Sequence, residues 1–349
     1  MCKDLGIPEP KGKKAVTKTL PATAYRDETL FQSERRHIFA RSWLLVAHES
    51  QLQTTGEYVA LTAAGYPLIM VRGDDGKVRA FHNVCRHRGS PIAPDGPGKC
   101  DGTLACMYHG WRYDLDGRLT GARDFGADEG FDPRDFGLIE IKCDMWRGFV
   151  FVNMYTVGTE SLASFIAPLD ERAKDLPLES FRLSKTTRHD LACNWKTHVE
   201  NYLETYHIPQ IHPFLNSAVD VAKMDCDVVP PGVFWRAPQK SDTPVSGLWA
   251  WMWPSLSINV YNDGILMERV WPVTATSTRL DFLYLFPSDA TEEVIAQTLK
   301  ASETTTGEDK TICEAVQRNL DAGIFDTGIL SPKHEQAVGW FQNEVRRFL

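Results

Sequence analysis

The 349-residue chain is 43% hydrophobic and 24% charged, an ordinary globular composition that can bury a sizeable core as one large domain or two medium ones. Its net charge of −8 excludes broad binding to nucleic acid or to anionic membranes, because counterion release needs a cationic surface. The expected partners are small molecules and other proteins.

The first stretch, MCKDLGIPEPKGKKAVTK, is polar and proline-broken, without the apolar run of a signal peptide, and nothing later approaches membrane-spanning length. The expectation is a soluble, cytoplasmic protein. Its eight cysteines (Cys2, Cys85, Cys100, Cys106, Cys143, Cys193, Cys226 and Cys313) are dispersed over a long chain, which favours reduced thiols over a disulfide framework. A cysteine with a special role here is expected to bind metal. Residues 24–43, AYRDETLFQSERRHIFARSW, carry apolar residues at helical spacing and predict an N-terminal helix. From Trp43 to about Tyr155 come short β-type runs: YVALT, PLIMVR, KVRAFHNV and IEIKCDMWRGFVFVNM. The Gly73–Gly76 segment between two of them reads as a hairpin turn. From about Ser161 helical stretches alternate with strands over Leu248–Val260, Leu266–Val273 and Leu280–Phe286. Helices are predicted again over Glu292–Leu320 and Pro332–Phe348, so this half is α+β.

Inside the β region lies CRHRGSPIAPDGPGKCDGTLACMYHGW, with a Cys-x-His pair, Cys85 and His87, and a Cys-x-x-His pair, Cys106 and His109, 18 residues between them. Thiolates and imidazoles together suit zinc or an iron–sulfur cluster. Gly89 and Gly110 follow the pairs, so the backbone can fold closely round a ligand. Zinc ribbons pair their cysteines within one loop, as C-x-x-C. Here each loop offers one cysteine and one histidine, which suits a two-iron cluster with thiolates on one iron and imidazoles on the other. Cys100 has no histidine partner and is left out of the set. The spacing, the glycines and the run CMYHGWRYDLDG resemble the Rieske domain.

A second candidate site is NYLETYHIPQIHP, Asn201–Pro213. Residues five apart on a straight helix point about 140° away from each other, so His207 and His212 can share a site only if the helix breaks between them. Pro209 is the expected break, with His207 at the helix end and Glu204 one turn back on the same face. A capped helix end with partly exposed histidines is the plain alternative. Two imidazoles plus a carboxylate would make the facial triad of oxygen-activating non-haem iron.

Together, the Rieske motif and NWKTHVENYLETYHIPQIHP, in this order and separation, resemble the Rieske non-haem iron oxygenase α subunits over nearly the whole chain. The resemblance implies an α+β fold, with an all-β Rieske [2Fe–2S] domain over 43–155 and a helix-grip (START-like) antiparallel-sheet catalytic domain with mononuclear iron over 156–349. It also implies an N-terminal helical segment, 1–42, packed on the catalytic domain. The cluster ligands would be Cys85, His87, Cys106 and His109. The mononuclear Fe(II) would be held by His207, His212 and an aspartate in the long C-terminal helix. Asp309, Asp321 and Asp326 are the candidates; Asp309 is preferred because TGEDKTICEAVQRNL resembles a run of the choline and betaine type oxygenases. A solvated helix carboxylate is the plain reading of Asp309.

Most ring-hydroxylating members carry aspartate where this chain has Glu204. Glutamate there resembles the quaternary-ammonium subgroup of carnitine, choline and glycine betaine monooxygenases. By the same resemblance, Glu204 would bridge His109 of a neighbouring subunit to His207 in a homotrimer. A separate flavin and iron–sulfur reductase would supply electrons from NAD(P)H, since no G-x-G-x-x-G fingerprint occurs in the chain. The implied activity is a terminal oxygenase using O2 to monooxygenate a quaternary or tertiary amine. An aromatic-ring hydroxylase, with or without a small β subunit, is the second reading, and a Rieske electron carrier lacking catalytic iron the third. In GLWAWMWPSLSINVY, a strand directs Trp249, Trp251 and Trp253 to one face, where they form either a cage for a quaternary ammonium or core packing. Glu268 and Asn259 are candidate polar contacts to the substrate.

Overall fold

The computed structural model describes residues 17–237, 247–261 and 264–348. The chain divides into two compact units: Arg35–Leu183, and Met1–Glu34 together with Ser184–Leu349. The first boundary falls inside helix α1 (Glu28–His37), and the second lies well beyond Tyr155, in a later strand. Helix α1 is shorter than the expected 24–43. Its start is fixed by Asp27, whose carboxylate accepts the Leu30 N–H, and 3₁₀ turns flank it at Ala22–Tyr25 and Phe39–Arg41.

The Arg35–Leu183 unit contains β1 (Leu44–His48), β2 (Glu57–Ala63), β3 (Tyr66–Arg72), β4 (Val78–His82) and β5 (Gly96–Lys99). After β6 (Leu104–Ala105), β7 (Arg112–Tyr113) and β8 (Leu119–Gly121) come β9 (Glu140–Trp146), β10 (Phe149–Asn153) and helix α2 (Leu162–Ala173). Seven strands form one sheet in the order β1-β10-β9-β4-β3-β2-β5, and β6-β7-β8 form a small second sheet. The predicted hairpin closes as expected: the Gly73 N–H donates to Lys77 O at 2.8 Å, and Gly76 sits at φ +76°, a conformation glycine adopts without strain. The two Cys/His loops follow β4 and β6. Both pack on a core that includes Phe81, Leu104, Trp111 and Tyr113.

The other unit is built on a seven-stranded antiparallel sheet of β11 (Phe181–Leu191), β12 (Asp225–Val229), β13 (Gly232–Ala237), β14 (Gly247–Met252), β15 (Leu256–Tyr261), β16 (Gly264–Thr274) and β17 (Ser277–Pro287). From β12 to β17 the strands are neighbours in sequence, and β11 adds to β17 at the far edge. The single strand expected over Leu248–Val260 is in fact two, β14 and β15, because Pro254 lies in the turn between them and has no N–H to give a ladder. The helices of this unit are α3 (Trp195–Tyr202), α4 (Ile208–Ile211), α5 (Pro213–Ala218), α6 (Glu292–Asp321) and α7 (Gln336–Arg346). No helix among the described residues is long and apolar enough to cross a membrane. On α6 the buried residues Thr306, Cys313, Gln317 and Leu320 recur at helical spacing, and Asp309 falls on the same stripe.

The start of α3 is anchored by a buried ion pair. Lys196 Nζ lies 2.6 Å from Glu34 Oε1, with both side chains at most 1% exposed, and the Trp195 indole donates to Glu34 Oε2 at 2.8 Å. Burial holds the Lys196 ammonium below its ordinary value, and the Glu34 carboxylate offsets only part of that. Glu34→Ala strands that ammonium and should destabilise the protein by about 3–5 kcal/mol, read as a lower urea midpoint. Glu34→Leu with Lys196→Met should recover most of the loss, because neither charge is then left buried. A Glu34→Ala protein as stable as the parent would contradict this anchoring role.

Candidate metal centres

The two Cys/His loops are built alike. In the first, the Cys85 N–H donates to Ser90 O at 2.8 Å and the Gly89 N–H to Cys85 O at 3.0 Å; in the second, Cys106 donates to Trp111 O at 2.8 Å and Gly110 to Cys106 O at 3.0 Å. Gly89 and Gly110 both have φ +72°, which explains glycine at these positions. The thiols of Cys85 and Cys106 are both buried and close enough to influence each other. His87 Nδ1 and His109 Nδ1 face each other at 3.2 Å. Two thiols and two imidazole nitrogens, one of each from either loop, is a donor set that fits a Rieske cluster.

Tyr113 supports this set: its hydroxyl accepts from the Arg86 N–H at 3.1 Å, which leaves its proton for Cys85 Sγ at 3.3 Å. The His87 ring stacks on Trp111, with centroids 4.9 Å apart, and an Arg88 Nη2 donates to His109 Nε2 at 3.0 Å. Cys100 stands outside, its Sγ–H donating to Gly56 O at 3.4 Å.

In the other unit the backbone around the histidines departs from expectation. Helix α3 ends at Tyr202, so Glu204 and His207 lie in a loop, and Pro209 falls in the first turn of α4 rather than breaking a helix after His207. Proline is tolerated there because a first-turn N–H has no intrahelical partner to lose. Pro213 opens α5 in the same way, with His212 at the junction of the two short helices. The histidines converge all the same: His207 Nε2 lies 3.2 Å from His212 Nε2.

Asp309 completes the group, Oδ1 lying 2.9 Å from His212 Nε2 and 3.7 Å from His207 Nε2. One donor atom from each of the three residues lies within 4.8 Å of the others, a set that fits non-haem iron. Asn201 Nδ2 donates to the same Oδ1 at 2.6 Å. Asp321 and Asp326 are elsewhere: the Asp321 carboxylate accepts from Gln317, and both residues are exposed.

The far nitrogens of the two rings are held by glutamates. His207 Nδ1 lies 2.6 Å from Glu204 Oε1, and His212 Nδ1 lies 2.7 Å from Glu308 Oε2. Glu204 Oε2 also accepts the backbone N–H groups of Tyr206 and His207. Burial pushes the Asp309 carboxyl up, but the hydrogen bond and charge of His212, with the charge of His207, outweigh it and hold it below the usual carboxylate range. Burial lowers His212, yet Asp309 and Glu308 raise it overall.

The tryptophan row divides. Trp251 is 1% exposed and meets Trp253, Trp340 and Phe341 edge-on, with ring centroids 5.6–6.2 Å apart, which is core packing. Trp249 is directly opposite Trp235 on β13 and Asn259 on β15, so these three share a face. Tyr202 reaches this row from α3: its hydroxyl lies 2.8 Å from Asn259 Oδ1, and its ring meets Trp235 edge-on at 5.7 Å. Glu268 is engaged inside the chain, by His198 Nε2 and by the Ser257 hydroxyl at 3.1 Å. Burial lowers His198, but the Glu268 carboxylate outweighs it and brings the imidazole to about 9.

Asn201, Tyr202, Trp235, Glu308 and Tyr113 were not singled out from the sequence. Asn201, Tyr202, Glu308 and Tyr113 lie within the quoted motif runs, but nothing in those runs says which way they point.

Comparison with known proteins identifies the two domains. Residues 42–130 match the Rieske [2Fe-2S] domain, and residues 178–229 and 235–349 match the catalytic domain of the ring hydroxylating alpha subunit. The chain is 31% identical over 355 residues to the carnitine monooxygenase oxygenase subunit of Acinetobacter pittii, covering 94% of each. Its fold is similar to a quaternary ammonium Rieske monooxygenase in complex with its substrate L-carnitine, with TM-score 0.85, 28% identity, and 95% and 96% of the two chains covered. A further structure of a quaternary ammonium Rieske monooxygenase, which gave insight into inter-subunit electron transfer, matches with TM-score 0.88, 27% identity and the same coverage. The chain belongs to the Rieske non-haem iron oxygenases, as an oxygenase α subunit with a [2Fe–2S] domain and a mononuclear-iron catalytic domain.

Proposed function

We propose that this subunit monooxygenates a quaternary or tertiary amine, inserting one atom of O2 into a C–H bond beside nitrogen. Two electrons and two protons take the other oxygen atom to water, and the carbinolamine product collapses to an amine and an aldehyde. Cys85, His87, Cys106 and His109 hold the cluster, and His207, His212 and Asp309 hold the iron. When bound, the cluster carries single electrons and the iron activates dioxygen. Glu204 keeps the Nδ1 proton of His207, so that Nε2 is free to ligate. Asn201 orients the Asp309 carboxylate. The next residue, Tyr202, joins Trp235 and Trp249 as the aromatic surface offered to a cationic nitrogen.

The observation that carries this reading is Glu204: a glutamate, the residue of the quaternary-ammonium subgroup, with its carboxylate on His207. Further support comes from two exposed apolar patches. Met107 and Tyr108 stand out beside His109, and Tyr206 and Phe214 beside His207 and His212. A homotrimer in which one subunit's cluster loop meets a neighbour's Glu204 would cover both patches. A separate flavin and iron–sulfur reductase, oxidising NAD(P)H, supplies the electrons. The dispersed reduced thiols favour a cytoplasmic location.

Glu204→Gln should retain both metals and lose coupled turnover at least tenfold, measured as product formed per NADH consumed. Substrate oxidation at the parent's rate would remove the bridging role. The substrate class is tested by a panel of carnitine, betaine, choline and simple aromatic acids, scored by product because uncoupled NADH loss misleads. The expected products are an aldehyde or a dealkylated amine; a cis-diol or phenol would overturn the amine reading.

A further inference from the structure

Resting on the assignment of His207, His212 and Asp309 to iron, we infer that Glu308 is the positioning residue for His212, fixing both its tautomer and its ring orientation. Glu308 and Asp309 are consecutive on α6, where neighbouring side chains diverge by about 100°. That divergence lets them straddle one imidazole: Asp309 Oδ1 lies 2.9 Å from Nε2, and Glu308 Oε2 lies 2.7 Å from Nδ1. The Glu308 carboxylate thereby meets the nitrogen on the far side of the ring from Asp309. A carboxylate only accepts, so Glu308 keeps the proton on Nδ1 and leaves the Nε2 lone pair facing Asp309 and His207. With Glu204 on the other ring, each histidine has its own glutamate. The two differ in setting: the Glu308 side chain is 31% exposed against 12% for Glu204, and Glu308 accepts no backbone N–H in the described contacts. Its hydrogen bond to His212 is therefore its main structural engagement, and its removal should be felt at the metal rather than in the fold.

The test uses the full-length protein with its cluster retained, stripped of mononuclear iron and titrated with Co(II), whose visible d–d bands report ligand geometry. Glu308→Ala should bind Co(II) about 10–100-fold more weakly, with altered bands, while the cluster's absorption and the urea midpoint stay at parental values. Glu308→Gln, whose amide oxygen can still accept from Nδ1–H, should recover most of the affinity. A Glu308→Ala protein with parental affinity and bands overturns the inference alone. A parent that takes up no Co(II) overturns the iron assignment and the inference with it.

Discussion

Three carboxylates, Glu204, Glu308 and Asp309, crowd the two imidazoles of His207 and His212, and the chemistry of the catalytic unit depends on what neutralises them. The carboxylates of Asp309 and Glu308 raise His212 despite its burial. A divalent metal answers the same charge but needs the imidazoles neutral, so metal and proton compete for one pocket. Glu204 and Glu308 decide which nitrogen of each ring is left to ligate. Each accepts from Nδ1, so the nitrogen left without a proton is the one that faces Asp309.

Helix α3 connects this pocket to its surroundings. Its first residues are held by Glu34 through Lys196 and Trp195; its last turn sends Asn201 to Asp309 and Tyr202 to the sheet at Asn259. One short helix thus couples the N-terminal segment, Asp309 and the aromatic row. Asp309 is 97 residues from His212 in sequence and reaches it because it lies on the buried stripe of α6. A shift of α3 against α6 would move the Asn201–Asp309 bond and the histidine pair together, so rigidity here is a requirement of the site.

Features set by short-range geometry were readable from the sequence. The cluster loops were evident because their donors sit within three residues of each other and a glycine closes each turn. His207 and His212 were legible as a pair, but their backbone was not. A proline can end one helix or begin the next, and only the tertiary structure chose the second. The β14–β15 break at Pro254 is masked in the sequence because apolar residues recur on both sides of it, Met252 and Trp253 before and Leu256 and Ile258 after. The tryptophans were ambiguous for a different reason. Alternation puts Trp249 and Trp251 on one face, but whether that face meets protein or substrate depends on Phe341 and Trp340 of α7, some 90 residues away. Glu268 looked available for substrate until His198 claimed it.

The arrangement of both donor sets in one chain calls for two iron centres of different kinds. It is tested most directly by quantifying iron, zinc and acid-labile sulfide in the purified protein. Three irons and two sulfides per chain are expected, with one iron removable by a chelator without loss of the cluster's absorption. Two irons with two sulfides and no further iron site, or stoichiometric zinc, would contradict it.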